Sequence, residues 1–448
     1  MDLMAVQAAR ALERLAGARV GTGEWGAIFR FMAGLFLLLA AYYVLKVIRE
    51  PLILATDGAV SRSYARAVQA MLLVVLVPAY SALANRVTPS VLVQYVFLFF
   101  LASLLAFFAL GRSGAHVGFA FFVWLGIFST MSIAQFWSLA NDLLTEAEGE
   151  RLFPLVAIGG TLGAIAGAQI AAQGVATLGP FGLMLVAAVL LLGCMACVAA
   201  GTRAWRLRAD AAVGAGTRRT VHDPHSGFTI LLHDRYLLLI ACAVLLVNVV
   251  NTTGDYMLAE LVSRAADAAA AVADDAVAAR RTWIGVFYGR FQTAISVLTA
   301  LAQLLLVARL FRWAGLERAL FVLPVIVLMG YGTVALLPLL GLLTAVKVAE
   351  NSTEYSLQNT LQQALFLPTS VDAKYKAKAA IDTFVVRAGD VGSAALVYLG
   401  TLVALGVRGF AVANVLIGCL WLLLVLRLVR RHRTLSALHG PNAGDAAR

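Results

Sequence analysis

The run PFGLMLVAAVLLLGCMACVAAGT, residues 180–202, contains no charged side chain, and Arg203 closes it. A helix needs ~20 consecutive apolar residues to cross the hydrocarbon core of a bilayer, so this stretch is long enough to span. Apolar runs broken by polar or Gly/Pro punctuation recur twelve times along the chain. They lie near 30–56, 64–84, 90–111, 116–144, 152–175, 180–203, 234–262, 282–308, 317–339, 341–366, 376–404 and 409–429. The runs are continuous rather than alternating with period two, which disfavours a transmembrane β-barrel. Of 448 residues, 61% are hydrophobic and 13% charged, and the mean hydropathy is +0.87. A soluble domain carries about 25% charged residues, and one of this size could not hide so much apolar surface. A water-soluble enzyme and a disordered chain are both excluded. The expected fold class is an all-α polytopic membrane protein with twelve transmembrane helices.

The longest polar internal stretch, 204–233, holds Arg206, Arg208, Arg218, Arg219, His222 and His225 and divides the chain in two. The expected organisation is a cytoplasmic segment 1–29, a six-helix bundle 30–203, a linker 204–233, a second bundle 234–433 and a tail 434–448. With both termini inside, 23 of the 35 Lys and Arg residues fall in inside segments and 7 in outside ones, Arg62 and Arg66 among the latter. That asymmetry follows the positive-inside rule. It explains the net charge of +11 without nucleic acid, and it fits a bacterial inner membrane. No cleavable signal peptide is expected, because 1–29 has no apolar stretch of the needed length. A weak repeat supports two halves: Ser138, Leu139, Asn141 and Leu143 recur at one offset as Ser356, Leu357, Asn359 and Leu361. Two parallel six-span halves is the major-facilitator layout.

A charge at mid-bilayer costs ~2.5–3.5 kcal/mol on insertion scales, so charges inside these runs should face a cavity or one another. Span one carries Lys46, Arg49 and Glu50 on one helical face, preceded by Tyr42 and Tyr43 and followed by Pro51. Span four carries Gln135, Ser138, Asp142 and Thr145 on a shared face; span seven carries Asn248, Asn251, Thr252 and Asp255; span eight has Arg290. Span ten carries Lys347, Glu350 and Glu354, extended by Asn351, Gln358 and Gln362. Span eleven carries Asp382, Arg387 and Asp390, with Lys378 at its start. One reading is ion pairs that lock helices together. The sharper one is an anion site: Arg offers forked donors to phosphate, Lys a point charge and Tyr a ring to stack on a base. Acidic partners would hold the cations while no substrate is bound.

Other constellations point to packing. Gly159, Gly163 and Gly167 give a smooth helix face, and no Lys-Ser/Thr follows them as a phosphate loop would require. The four cysteines, Cys194, Cys197, Cys242 and Cys419, lie in apolar runs, and the six histidines show no ligand spacing. No nucleophile–base pair, metal set or dinucleotide fingerprint is visible, so neither an enzyme nor a cofactor is expected. The Ala-rich insert 263–281 is expected to be a short exposed helix.

Three stretches carry a family resemblance. Phe136-Trp137-Ser138-Leu139-Ala140-Asn141, then Thr145, Glu148, Arg151 and Phe153-Pro154-Leu155, is similar to the FW-x-x-AN…T-x-x-E-x-x-R-F-Y-P-L stretch of the bacterial and plastidic nucleotide transporters. Lys374-Tyr375-Lys376-Ala377-Lys378-Ala379-Ala380-Ile381-Asp382, then Gly389 and Gly392, resembles their K-x-K-G-K-A-A-I-D…G-x-x-G segment. Tyr43 to Pro51 resembles their first span, with Lys46 and then Arg49-Glu50 at the basic and Lys-Asp positions. The resemblance implies a major-facilitator-like fold and exchange of nucleoside tri- and diphosphates. It implies site roles for Lys46, Arg49, Glu50, Glu148, Arg151, Lys378 and Asp382, with Asp255 matched loosely. The chain departs from the pattern where Gln362-Gln363 replaces a Lys-Glu pair and Asp390 replaces a lysine.

The expected function is secondary-active transport, nucleotide exchange of the ATP/ADP type by alternating access, in a monomer without nucleic-acid partners. The expected site comprises Tyr43, Lys46, Arg49, Glu50, Asn141, Asp142, Glu148, Arg151, Asp255, Arg290, Lys347, Glu350, Glu354, Lys378, Asp382 and Arg387. The alternatives are a proton-coupled transporter of another organic anion, with Asp142, Glu350 and Glu354 carrying protons, and a membrane sensor or assembly protein without transport.

Overall fold

The computed structural model describes residues 24–84, 89–209, 231–232, 234–366, 369 and 377–439. Every regular element among them is helical. The helices are α1 (Trp25–Leu54), α2 (Gly58–Ala84), α3 (Pro89–Arg112), α4 (Gly118–Leu143), α5 (Glu146–Ala209), α6 (Arg235–Ala270) and α7 (Ala276–Leu301). They continue as α8 (Ala308–Ala319), α9 (Val322–Leu336), α10 (Leu340–Thr353), α11 (Asn359–Leu365), the single turn α12 (Lys378–Ala380), α13 (Val386–Leu402) and α14 (Val407–His439). π-Helical turns at Ala302–Val307, Glu354–Gln358 and Ile381–Val385 join α7 to α8, α10 to α11 and α12 to α13. Two of the three carry an acidic residue, Glu354 and Asp382, and π-bulges often mark functional positions.

Nine helices among the described residues are long and apolar enough to cross a membrane, or ten if the pair Arg309–Ala319 and Val322–Leu336, bent by 75°, counts as one span. This differs from the expected twelve for two physical reasons. Two expected spans, 152–175 and 180–203, lie within the single 64-residue α5. The expected span 341–366 is divided into α10, a π turn and α11, and it carries Lys347, Glu350 and Glu354 in its apolar run.

α5 folds back on itself. Gly179 has φ 65° and ψ 175°, followed by Pro180, a backbone conformation open to glycine and a residue that cannot continue the preceding hydrogen bonds. A Cβ on Gly159 would run into the Met32 carbonyl, while Gly34 sits against Val198 and Cys197. Neighbouring turns of α1 therefore touch α5 at points nearly equidistant from Gly179, so its two limbs run antiparallel beside α1. The Gly159, Gly163 and Gly167 stripe works as the sequence suggests: side chains there would strike the carbonyls of Met32, Phe36 and Ala40 on three successive turns of α1. α3 and α4 pack through aromatic rings. Phe100 of α3 meets Trp124 and Phe128 of α4, Phe107 meets Phe121 and Trp124, and Trp124 donates from Nε1 to Ser103 Oγ at 2.9 Å.

The chain forms two compact units. Unit 1 is 1–56, 76–218 and 269–293; unit 2 is 57–75, 219–268 and 294–448. Each gathers non-contiguous pieces for a visible reason. In unit 1 the start of α7 is held because Gly285 and Gly289 nest on Val175 and Ala172 of α5, and Arg280 donates to the Ala55 carbonyl at 2.9 Å. In unit 2 the start of α2 is held by ion pairs from Arg62 and Arg66 to α6. Within unit 2, Gly418 of α14 meets Val327 and Leu328 of α9, and Asn414 donates to the Val250 carbonyl of α6 at 3.2 Å. Most of the 1–29 segment, the 204–233 linker and the tail, together with Lys374, Lys376 and Arg86, lie outside the described residues.

Candidate functional site

Unit 2 contains a buried charge cluster centred on Asp255 of α6. Apolar turns of α6 anchor it: Val250, Met257, Leu258 and Ala259 are buried, which leaves Asn251, Thr252 and Asp255 on a shared helical face. Lys347 of α10, whose side chain is 0% exposed, reaches Asp255 Oδ1 at 3.2 Å and Glu350 Oε2 at 3.2 Å. It also donates to Asn251 O at 3.0 Å and Asn251 Oδ1 at 2.7 Å. A buried ammonium pays several kcal/mol in desolvation unless paired and hydrogen-bonded; these four acceptors supply that. Tyr331 of α9 donates to Glu350 Oε2 at 2.6 Å, and Asn251 donates to Glu354. Gly254 leaves the room for this: a Cβ there would collide with the Tyr331 hydroxyl and sit close to Lys347 Cδ.

From α2, Arg66 donates to Asp255 Oδ2 at 3.1 Å and to Thr252 Oγ1 at 2.9 Å, and Arg62 stands 3.7 Å from the same carboxylate oxygen. From α13, Arg387 pairs with Asp390 at 3.3 Å, and Thr252 bonds Asp390 Oδ1 at 3.4 Å. Three cations from two helices thus converge on one carboxylate. Among the described residues of unit 2 that form these contacts, Arg62, Arg66, Lys347 and Arg387 match Asp255, Glu350, Glu354 and Asp390 in number. Lys347 is sealed, whereas the Arg66 and Arg387 side chains are each 21% exposed.

A second polar feature of unit 2 lies at the α11–α13 end. Lys378 donates to Gln363 Oε1, and Gln362 donates to Asp382 Oδ1 at 3.3 Å. Gln362, Gln363 and Asp382, with Gln303, Tyr355 and Asn359, line an open polar cavity of about 550 Å³.

The span-one charges Lys46, Arg49 and Glu50 belong to unit 1. Arg49 Nε bonds Glu50 Oε1 at 3.0 Å, their side chains 9% and 3% exposed, and the Arg49 guanidinium lies 4.2 Å from the Phe122 ring centroid of α4. Lys46 Nζ lies 5.0 Å from the Tyr43 ring and 5.9 Å from the Tyr42 ring. These are cation–π distances.

Other expected site residues are placed differently. Glu148 forms a capping box at the start of α5, its Oε2 accepting from Thr145 N at 3.0 Å and Oγ1 at 2.8 Å. Arg151 pairs with Glu24, just before α1, at 2.8 Å, beside a small core of Ile28, Leu152, Leu155 and Trp205. Asn141 and Asp142 end α4 in exposed positions, and Arg290 on α7 is exposed. Sequence reasoning missed Arg62, Arg66 and Tyr331. The charge count assigned both arginines to the outside, although Arg66 falls within the expected 64–84 run; the structure puts them in helix α2, paired with Asp255. Their spacing of four was the available signal.

Fold and buried charge together define a multi-pass membrane protein with a major-facilitator-like architecture. No family model matches the sequence. The chain is 25% identical over 364 residues to ADP,ATP carrier protein 1 of Chlamydia trachomatis serovar D, a match covering 71% of this chain and 66% of the relative, just under two thirds of it. This likeness bears out the resemblance to the nucleotide transporter family read from the three motifs. Among solved structures, a POT family transporter in complex with 5-aminolevulinic acid superposes with TM-score 0.63 at 12% identity, over 91% of this chain and 96% of that one. A point mutant of the nucleoside transporter NupG gives 0.60 at 13%, over 91% and 99%. A bacterial homologue of the iron transporter ferroportin gives 0.60 at 12%, over 90% and 98%. These three share the fold.

Proposed function

We propose that the protein is a secondary-active transporter that exchanges nucleotides across a bacterial inner membrane by alternating access. The observation that carries this reading is the convergence of Arg62, Arg66 and Lys347 on Asp255. Without cargo the cluster neutralises itself, which is how buried cations are held at tolerable cost. An entering phosphate group competes with Asp255 for Arg66, the partly exposed member, and the guanidinium offers forked donors that fit phosphate oxygens. Reorientation with the cluster disturbed and no anion present would leave buried charge uncompensated. That penalty ties the return step to a second anion, which makes exchange rather than one-way passage. The nucleotide as cargo is supported by the likeness to the chlamydial ADP,ATP carrier.

In this reading the bundles 30–203 and 234–433 are the moving bodies of a monomer with both ends in the cytoplasm. Lys46 with Tyr43 is a second anion-handling position, tested separately by Lys46→Ala. A less charged organic anion is the second reading. Gln362 and Gln363 favour it, because they face Asp382 and Lys378 with neutral groups where the resembled family has a Lys-Glu pair. Proteoliposomes separate exchange from other modes: labelled ATP should enter vesicles loaded with ADP and not empty ones. Equal uptake in both would refute exchange. Stabilisation by a non-nucleotide anion but by no nucleotide, in a thermal-shift panel, would select the second reading.

A further inference from the structure

We propose that unit 1 carries a binding site for an anionic phospholipid between α3, α4 and the second limb of α5. A cavity of about 290 Å³ opens there, its floor formed by Phe97, Leu139 and Met195 and its polar end by Gln94, Arg203 and Arg206. Met195, Thr202 and Arg206, spaced by seven and four, share one face of α5. The apolar floor and the cationic rim are therefore built into one helical stripe. Phe97 and Leu139 are buried, while Gln94, Arg203 and Arg206 are exposed.

The flanking surface says what medium the cavity opens to. Tyr95, Leu98 and Phe99 of α3 are 66%, 52% and 64% exposed, and Val189 and Leu192 of α5 are 66% and 51% exposed. On a chain that spans a bilayer, such an apolar band meets acyl chains. The cavity interrupts that band where α5 leaves its apolar run at Arg203. A single arginine at a helix end would reach the headgroup layer by snorkelling and would need no cavity. Here two arginines from one turn and a glutamine from a second helix border the same space, above an apolar floor. That pairing matches a phosphodiester headgroup with an acyl chain beneath it: guanidinium forks take the phosphate oxygens, and Gln94 offers an amide donor. Basic pockets between membrane helices bind acidic headgroups on the same logic.

Native mass spectrometry of the purified full-length protein, titrated with phosphatidylglycerol or phosphatidylcholine, tests the site. One phosphatidylglycerol should be retained per chain in preference to phosphatidylcholine. The R203Q/R206Q variant should bind it about thirty-fold more weakly, roughly five-fold per arginine. R430Q/R431Q, which removes two cations from α14, should bind as wild type. Equal retention of the two lipids by wild type, or unchanged binding by R203Q/R206Q, overturns the proposal. Photo-crosslinkable phosphatidylglycerol on wild-type protein gives an answer that needs no variant: adducts should map to the Phe97 and Met195 segments, and adducts confined elsewhere also overturn it.

Discussion

Replacing Lys347 with methionine removes the fully buried ammonium and keeps most of its volume. Asp255 then retains Arg62 and Arg66, so its charge stays compensated. Glu350 fares worse: among the described residues its other partner is the Tyr331 hydroxyl, at 2.6 Å. Breaking a buried pair from one side costs ~3–5 kcal/mol, mostly the penalty of the charge left behind. Lys347→Met should therefore destabilise by about that much, and Glu350→Gln by less, because Lys347 keeps Asp255 Oδ1 at 3.2 Å and both Asn251 oxygens. The double variant Lys347→Met/Glu350→Gln restores the balance, with the amide still able to accept from Tyr331. It should be less destabilised than the sum of the singles by roughly 2–3 kcal/mol, within the range of coupling energies for contacting residues. Steric trapping in bicelles measures the unfolding free energy of all four proteins. Additive effects would show that Lys347 and Glu350, 3.2 Å apart, do not act as a pair and would refute the neutralised-cluster argument.

Gly254→Ala should lower thermal stability by about 1–3 kcal/mol through overpacking, because its methyl meets the Tyr331 hydroxyl; stability equal to wild type in a melting assay would contradict the packing around Lys347. Gly163→Val should disrupt the contact between α1 and the first limb of α5 and reduce the yield of monodisperse protein on size exclusion, whereas Gly332→Val, with open space around its Cβ, should not. Glu148→Ala should cost about 1 kcal/mol as a lost cap and leave the nucleotide affinity of the folded protein unchanged; a selective loss of affinity would make Glu148 more than a cap. The double change Gln362→Lys/Gln363→Glu would place charges opposite to those of Asp382 and Lys378 against them, and should raise uptake of the more highly charged nucleotide in a competition assay.

The membrane class was legible because the free energy of burying a helix in lipid is written in run length and charge content, as in 180–202. The glycine stripe was legible for a similar reason: spacing of four on a helix can serve close approach wherever a partner lies. Members of the buried charge cluster were legible where polar side chains sat inside apolar runs, as Asp255, Lys347, Glu350 and Glu354 do. Arg62 and Arg66 were not, because they fall at the start of the second apolar run, where a charge reads as an outside flank; only the tertiary contact to Asp255 brings them to the cluster. Tyr331 was hidden because a tyrosine in an apolar run reads as packing until its hydroxyl finds Glu350. Glu148 and Arg151 lie in a stretch that resembles one of the nucleotide transporters, and the geometry gives them a local duty, capping α5 and tying it to Glu24. Gln362 and Gln363, read from sequence as lost charges, still hold Asp382 and Lys378 by hydrogen bonds.

Equilibrium binding of labelled ADP to purified wild-type and Arg66→Gln protein, each first checked for an unchanged melting profile, bears most directly on whether the cations around Asp255 hold the cargo. Truncating a hydrogen-bonded charge pair with a ligand costs about 2 kcal/mol or more, so the variant should bind at least ten-fold more weakly. The same dissociation constant for both proteins would contradict the account.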